Sequence, residues 1–365
     1  MTSAMIYTVY IARATGRPLH LEVGKVDVKV YSTCPQSKDI GNSRYLQAVA
    51  DVSRWSEQAG CSGVLVYTDN GIADPWLVSQ IVIESTERLR PLVAIQPIYM
   101  HPYSAAKMVA SLAFIHGRAV CLNMLAGGFK NDLAALGDET PHDERYQRTV
   151  EYTQIMMGLL RDGGPITVDG RYCRVTNLRM TPPVPAGLVP EVLISGSSPA
   201  GLAASRTLGA TAVKYPRPPG EEAWVDDDAA TGFGVRVGII ARENADEAWS
   251  VALDRFPEDR QGTITHRLAM QVSDSHWHHQ LSQRQEANPV AGAPGEEPDP
   301  YWLGPFQNYK TFCPYLVGSY ERVGQVLAHY IALGSHTFIL DIPASEEELH
   351  HIGIVFHRAE AIVSA

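Results

Sequence analysis

The chain has 365 residues, of which 45% are hydrophobic and 19% charged, a balance that suits a globular protein with a large core and excludes a disordered or fibrous one. With 30 basic and 40 acidic side chains the formal charge is −10, which argues against nucleic acid as a partner. The five cysteines (Cys34, Cys61, Cys121, Cys173, Cys313) are scattered without CxxC spacing, so neither a disulfide framework nor a zinc site is expected, and a cytoplasmic location is. No apolar stretch reaches the ~18 residues of a membrane span, and the start, with Arg13, Arg17 and His20, lacks a signal-peptide core.

Taken in order, Ile6–Ile11 is strand-like, and Val26–Ser32 alternates as a first buried strand ending at Cys34. A helix follows over 43–59, a strand over 63–67, and a helix over 76–85 after the loop 68–75. Next come a strand over 89–96, a helix over 103–116 and a strand over 119–125, with the glycine-rich loop 126–131 behind it. A long helix is expected over 141–161, with Thr140 as N-cap, Pro141 in its first position and Asp143 completing a capping box. Residues 165–185 resemble an inserted hairpin, and Val192–Ile194 a short buried strand.

That strand stops at Ser195-Gly196-Ser197-Ser198 and passes directly into an Ala-rich helix from Pro199. Unpaired backbone N–H groups, the helix dipole and two serine hydroxyls make such a turn a ready phosphate site, although an ordinary serine-capped turn has the same sequence. Strands follow over 211–215 and 234–240, then a helix over 245–256. Residues 257–310 are rich in Gly, Pro, Gln and His and read as an insertion or mobile lid. A helix over 319–333, a strand over 336–341 and a helix over 345–363 close the chain.

Strand and helix alternate about eight times, and the strands are apolar on both faces. The expected fold is therefore a single (β/α)₈ TIM barrel with insertions over 1–365, its site at the C-terminal strand ends. A doubly wound sheet is the alternative, but no GxGxxG follows the first strand. Within the long helix, His142 and Tyr146 lie four apart on one face, beyond what capping requires. His276-Trp-His-His279 matches no metal-ligand spacing, and no metal is expected.

Three ordered motifs, 117–128 (Gly-Arg-Ala-Val-Cys-Leu-Asn-Met-Leu-Ala-Gly-Gly), His142-Asp-Glu-Arg-Tyr146 and 194–201 (Ile-Ser-Gly-Ser-Ser-Pro-Ala-Gly), resemble the bacterial luciferase-like flavin monooxygenases, nearest the alkanesulfonate monooxygenase group. The likeness runs from about Tyr45 to the C-terminus and includes Gly63-Val-Leu-Val, Trp76-Leu, Phe233-Gly-Val-Arg, Asp246-Glu-Ala-Trp249 and Ala332-Leu-Gly334. It implies an oxidoreductase using reduced FMN, supplied by a separate flavin reductase, with molecular oxygen as co-substrate, and a homodimer or homotetramer. By residue, Ser197, Ser198 and Tyr146 would hold the flavin phosphate, and Asn123, His142, Asp69 and the backbone of Ile98 would line the flavin. Arg236, Asn123 and His142 are the catalytic candidates, with Lys214, Tyr99 and Cys34 as further pocket residues.

Where the sulfonate enzymes carry a cysteine, a histidine and a tyrosine, this chain has Ile72, Gly238 and Ile342, and their mobile-loop arginine falls near Tyr309 or Lys310. A mostly apolar small molecule of secondary metabolism or a xenobiotic is therefore expected in place of a sulfonate, oxygenated by hydroxylation, Baeyer–Villiger insertion or carbon–heteroatom cleavage. A deazaflavin-dependent oxidoreductase on the same barrel and a non-catalytic flavin-binding subunit remain the alternatives.

Overall fold

Eight of the apolar runs close on themselves in the computed structural model, which describes residues 19, 21–23, 26–161, 164–221, 232–273, 281–282 and 297–365. The short β1 (Leu21–Val23) lies antiparallel on β2 (Val26–Thr33). Then follow α1 (Asn42–Gln58), β3 (Gly63–Val66), α2 (Pro75–Ser85), β4 (Arg90–Ile95), α3 (Pro102–His116), β5 (Cys121–Met124), α4 (Lys130–Ala135) and α5 (His142–Arg161). The hairpin β6 (Ile166–Asp169) and β7 (Arg174–Leu178) stands apart as its own two-stranded sheet. The barrel resumes with β8 (Val192–Ser195), α6 (Pro199–Leu208), β9 (Thr211–Lys214), β10 (Phe233–Arg242) and α7 (Ala245–Arg255). After α8 (Arg260–Val272), β11 (Tyr301–Trp302), α9 (Gly304–Gln307) and β12 (Tyr315–Ser319), it ends with α10 (Tyr320–Ala332), β13 (Ser335–Leu340) and α11 (Glu346–Ser364).

The ring runs β2, β3, β4, β5, β8, β9, β10, β13 and back to β2, and every neighbouring pair is parallel. Strand side chains alternate between faces, so one parity fills the barrel and the other meets the helices. Tyr31, Leu65, Leu92, Cys121, Leu193, Val213 and Ile339 form the buried interior. Below them, at the N-terminal end, Glu191 accepts bonds from Lys29 Nζ at 2.7 Å and Arg90 NH1 at 3.2 Å. The helices dock through their apolar faces on a separate outer shell, which includes Val28, Val30, Val64, Val66, Val235 and Val237.

Three features differ from the sequence reading. β10 is longer than its apolar run suggests: its first half sits in the barrel, while Gly238–Arg242 diverges to pair with β12, which in turn pairs antiparallel with β11. β11 was not legible because it is two residues long behind a Pro-rich stretch, and the apolar run of β12 was passed over although its composition suits a strand. The long helix begins at His142, one residue later than the capping pattern predicts, with the Pro141 carbonyl accepting from Arg145 N–H at 3.0 Å. Thr140 has other partners: its N–H donates to Asp138 Oδ1 at 3.1 Å and its hydroxyl accepts from Arg148 NH1 at 3.5 Å. Residues 130–135, read as loop, form α4. Ile6–Ile11 and His276–His279 lie outside the described residues.

Candidate active site

Strand parity places the site. Leu65, Tyr67, Ala94, Gln96, Asn123, Leu125, Ser195, Val213 and Arg236 all fall on the inward face of their strands or just past the strand ends, and they line one cavity of about 240 Å³ at the C-terminal end of the barrel. Asp69, Ile72, Phe129, Gly196, Ser197, Ser198 and Phe312 from loops, Asp132 from α4, His142 and Tyr146 from the start of α5 and Lys214 from the end of β9 complete it.

The serine turn forms one wall. Ser198 caps α6: its hydroxyl accepts from Gly201 N–H at 3.2 Å, and it is 5% exposed. The neighbouring Ser197 Oγ is shielded from solvent and has no partner among the described residues. The Tyr146 ring crosses this turn, with its hydroxyl over Gly196, where a Cβ would overlap it, and its ring carbon 3.1 Å from where a Cβ at Gly201 would stand. Burial pushes the Tyr146 phenol up, and a hydrogen bond with Ser198 partly offsets that rise. A glycine at each of these positions is therefore what lets the tyrosine reach the turn.

Tyr146 is held there by the first turns of α5. Its ring meets the His142 ring edge-to-face at 5.2 Å between centroids. His142 Nδ1 bonds Asp143 Oδ1 at 2.7 Å. The loop before the helix is fixed by Asp138, which accepts from Arg148 NH2 at 2.6 Å and from Thr140 N–H. Burial alone would raise the Asp138 carboxyl, but these donors outweigh it and hold it down at about 2.

At the start of the turn, Ser195 Oγ donates to Asn123 Oδ1 at 2.8 Å, which leaves the Asn123 NH₂ without a partner among the described residues. Deeper, the Arg236 guanidinium stacks on Tyr67 at 4.8 Å from the ring centre, while its Nε and NH2 are shielded and unpartnered. Gly238 is not a void where the sulfonate enzymes have histidine: the Tyr315 ring occupies the space its Cβ would need. Tyr315 and Thr311 both donate to Asp341 Oδ2, at 2.8 and 2.6 Å. Ile72 faces the cavity, whereas Ile342 is not among the lining residues and gives its carbonyl to Arg255 NH2 at 2.7 Å.

Of the expected residues, Asp69, Asn123, His142, Tyr146, Ser197, Ser198, Arg236 and Lys214 are brought together around this cavity. Ile98 and Tyr99 are not among the lining residues; they follow β4 in a turn, where Tyr99 donates to Asn70 Oδ1 at 2.7 Å. Cys34 was expected to face the site and does not: it has the parity of Val28 and Val30 and packs in the outer core, where burial pushes its thiol up to about 12. Sequence reasoning missed Gln36, Tyr67, Gln96, Asp132 and Phe312. Tyr67 and Gln96 were accessible to it, since each lies two residues beyond an inward-facing strand residue. Gln36 and Phe312 come from loops, for which no periodicity exists, and Asp132 from the six-residue α4, too short to show one. Asp132 sits high in its titration, because of burial first and then the nearby Asp69, with Lys38 opposing.

A parallel barrel with a phosphate-type turn, a tyrosine laid across it and a mostly apolar cavity matches what is known of other proteins. Residues 27–337 match the family model of the luciferase-like monooxygenases. The chain is 32% identical over 320 residues, 86% of its length and 92% of the relative's, to the 4-(γ-L-glutamylamino)butanoyl-[BtrI acyl-carrier protein] monooxygenase BtrO of Niallia circulans. Among solved structures it resembles the long-chain alkane monooxygenase LadA (TM-score 0.68, 15% identity, 90% of each chain). It also resembles the oxygenating constituent of 3,6-diketocamphane monooxygenase from Pseudomonas putida, in complex with FMN (TM-score 0.62, 14% identity, 92% of this chain and 96% of that one). The fold, the motifs and this coverage agree: the chain belongs to the luciferase-like monooxygenase family.

Proposed function

We propose that the chain is the oxygenase of a two-component system, taking reduced FMN from a separate flavin reductase and inserting one atom of O₂ into a largely apolar acyl group that is carried on a carrier protein. The observation that carries the cofactor assignment is the orphaned, shielded Ser197 Oγ beside the capped start of α6. A buried hydroxyl without a partner costs about 1–3 kcal/mol, and a phosphate at this turn removes that cost while accepting from the helix N–H groups. Ser197, Ser198 and Tyr146 would hold the phosphate, and the Asn123 NH₂ would orient the ring edge. Bound reduced FMN supplies the activation of oxygen that no side chain can.

The chain's own residues do the rest. Leu65, Ala94, Leu125, Val213 and Phe312 give apolar walls that exclude water. Arg236, held flat on Tyr67 with two unpartnered nitrogens, supplies directed donors for a carbonyl or anionic oxygen of the substrate. His142 has Nδ1 occupied by Asp143, so Nε2 is the ring atom available to accept or return a proton. The carrier attachment rests on the BtrO relative, whose name specifies an acyl group on an acyl-carrier protein, and the apolar character rests on the cavity walls. Phe114 and Ile115, exposed side by side at the end of α3, would serve a homodimer contact.

The test is a turnover with reduced FMN and isotopically labelled O₂, presenting an acyl group on the holo form of the BtrI carrier. Incorporation of one labelled atom into the acyl product is expected. A product lacking the label contradicts the proposal.

A further inference from the structure

The helix α8 divides cleanly into two faces. Gly262, His266 and Met270, spaced by four, are buried. His266 packs edge-to-face on Phe306 at 4.7 Å, and Gly262 lies against the backbone of Asn308, so this side is seated on the α9 segment. The opposite stripe, Arg260, Ile264, Arg267, Leu268 and Gln271, is exposed. Ile264 and Leu268 are 58% and 60% exposed, among the most exposed large apolar side chains of the described residues.

Its charge is opposite in sign to that of the molecule as a whole. The chain carries −10 overall, yet α8 has two arginines and no acidic residue in its thirteen. The acid before it is already engaged: Asp259 caps the helix through Gly262 N–H and pairs with Lys310 Nζ at 2.6 Å. The helix is also tied to the cavity rim. Ser273, just past its end, bridges to Phe129 and donates from Oγ to the Gly128 carbonyl at 3.5 Å, and both Gly128 and Phe129 line the cavity.

We infer that the Arg260–Ile264–Arg267–Leu268–Gln271 face of α8 is the docking surface for an acidic acyl-carrier protein, which delivers its acyl group through the adjacent mouth of the cavity. The inference rests on the carrier-bound substrate proposed above. Two arginines that flank two exposed aliphatic side chains complement a partner surface bearing carboxylates around an apolar patch. In a symmetric contact between two copies the arginines of one α8 would face those of the other, so this face favours a partner that presents carboxylates.

The test titrates the protein with the holo form of the BtrI acyl-carrier protein, in the wild type and in the R260E/R267E and I264S/L268S variants, with reduced-FMN affinity and oligomeric size measured alongside. We expect saturable binding that weakens as salt is raised, and a loss of about tenfold or more in either variant, with FMN affinity and size unchanged. Equal carrier binding by wild type and variants overturns the docking surface and leaves the carrier-bound substrate standing. No carrier binding by the wild type overturns the carrier reading and this inference with it, while flavin binding still reports on the cofactor assignment. A change of oligomeric size in the variants assigns the face to contacts between copies and contradicts the inference.

Discussion

The Tyr146 hydroxyl lies over Gly196, in the space that any side chain at position 196 would need. The tyrosine comes from α5 and the glycine from the end of β8, so this single contact joins the two motifs around which the site is built. G196A introduces a methyl group that must displace the phenol. We expect reduced-FMN affinity to fall by about tenfold or more, about 1.4 kcal/mol, in an anaerobic titration. Y146F keeps the ring and loses only the hydroxyl, so a smaller loss is expected.

Arg236 combines a shielded guanidinium with two unpartnered nitrogens, a costly arrangement that a substrate oxygen would relieve. R236M should raise thermal stability by about 1 kcal/mol and leave FMN binding intact, because a charge without a full set of partners is removed. Oxygenated product should fall by about a hundredfold, as expected for the loss of a charge-assisted bond near the reacting atoms. Thermal unfolding and product yield from the same preparation check both directions.

Gly238 stands where the sulfonate enzymes have histidine, but its space is filled by Tyr315. G238H therefore restores no sulfonate grip. It should instead overpack the barrel mouth and destabilise the protein by about 1–3 kcal/mol. Denaturant unfolding of G238H beside G238H/Y315A, in which the ring is gone, distinguishes overpacking from a loss intrinsic to glycine: the double variant should recover part of the stability.

The Asp138 carboxyl, held at about 2 by Arg148 and Thr140, has a folded-state pKa below its unfolded value near ~3.9. Its contribution to stability is therefore fully present above pH ~4 and disappears as pH falls toward 2. D138N should lose about 2 kcal/mol at neutral pH, and its deficit against wild type should shrink through that acid window. A deficit independent of pH contradicts the ionic contribution.

Much of this site was legible because strands and helices impose periods. Asn123 and Arg236 sit on inward-facing strand positions, Ser197 and Ser198 follow an apolar strand directly, and His142 and Tyr146 share a helical face. Parity also shows why Cys34 was misplaced: it follows the even-numbered, outward face of β2 and not that of Tyr31. Tyr67 and Gln96 were overlooked although the same parity reaches them, whereas the rest of what escaped has no period. Gln36 and Phe312 reach the cavity from loops, Asp132 from the short α4, and the partner of β12 depends on where β10 bends away from the barrel. Tyr315 filling the space at Gly238 is a contact across 77 residues of sequence, which no local pattern encodes.

The most direct measurement is an anaerobic titration of the wild type and S197A with reduced FMN and, in parallel, with reduced riboflavin, which lacks the phosphate. We expect FMN to bind about a hundredfold more tightly than riboflavin, and S197A to erase about tenfold of that preference through the lost charge-assisted bond. Equal affinity for the two flavins, or preferential binding of a deazaflavin, would contradict the assignment of the Ser197–Ser198 turn as the phosphate site of FMN.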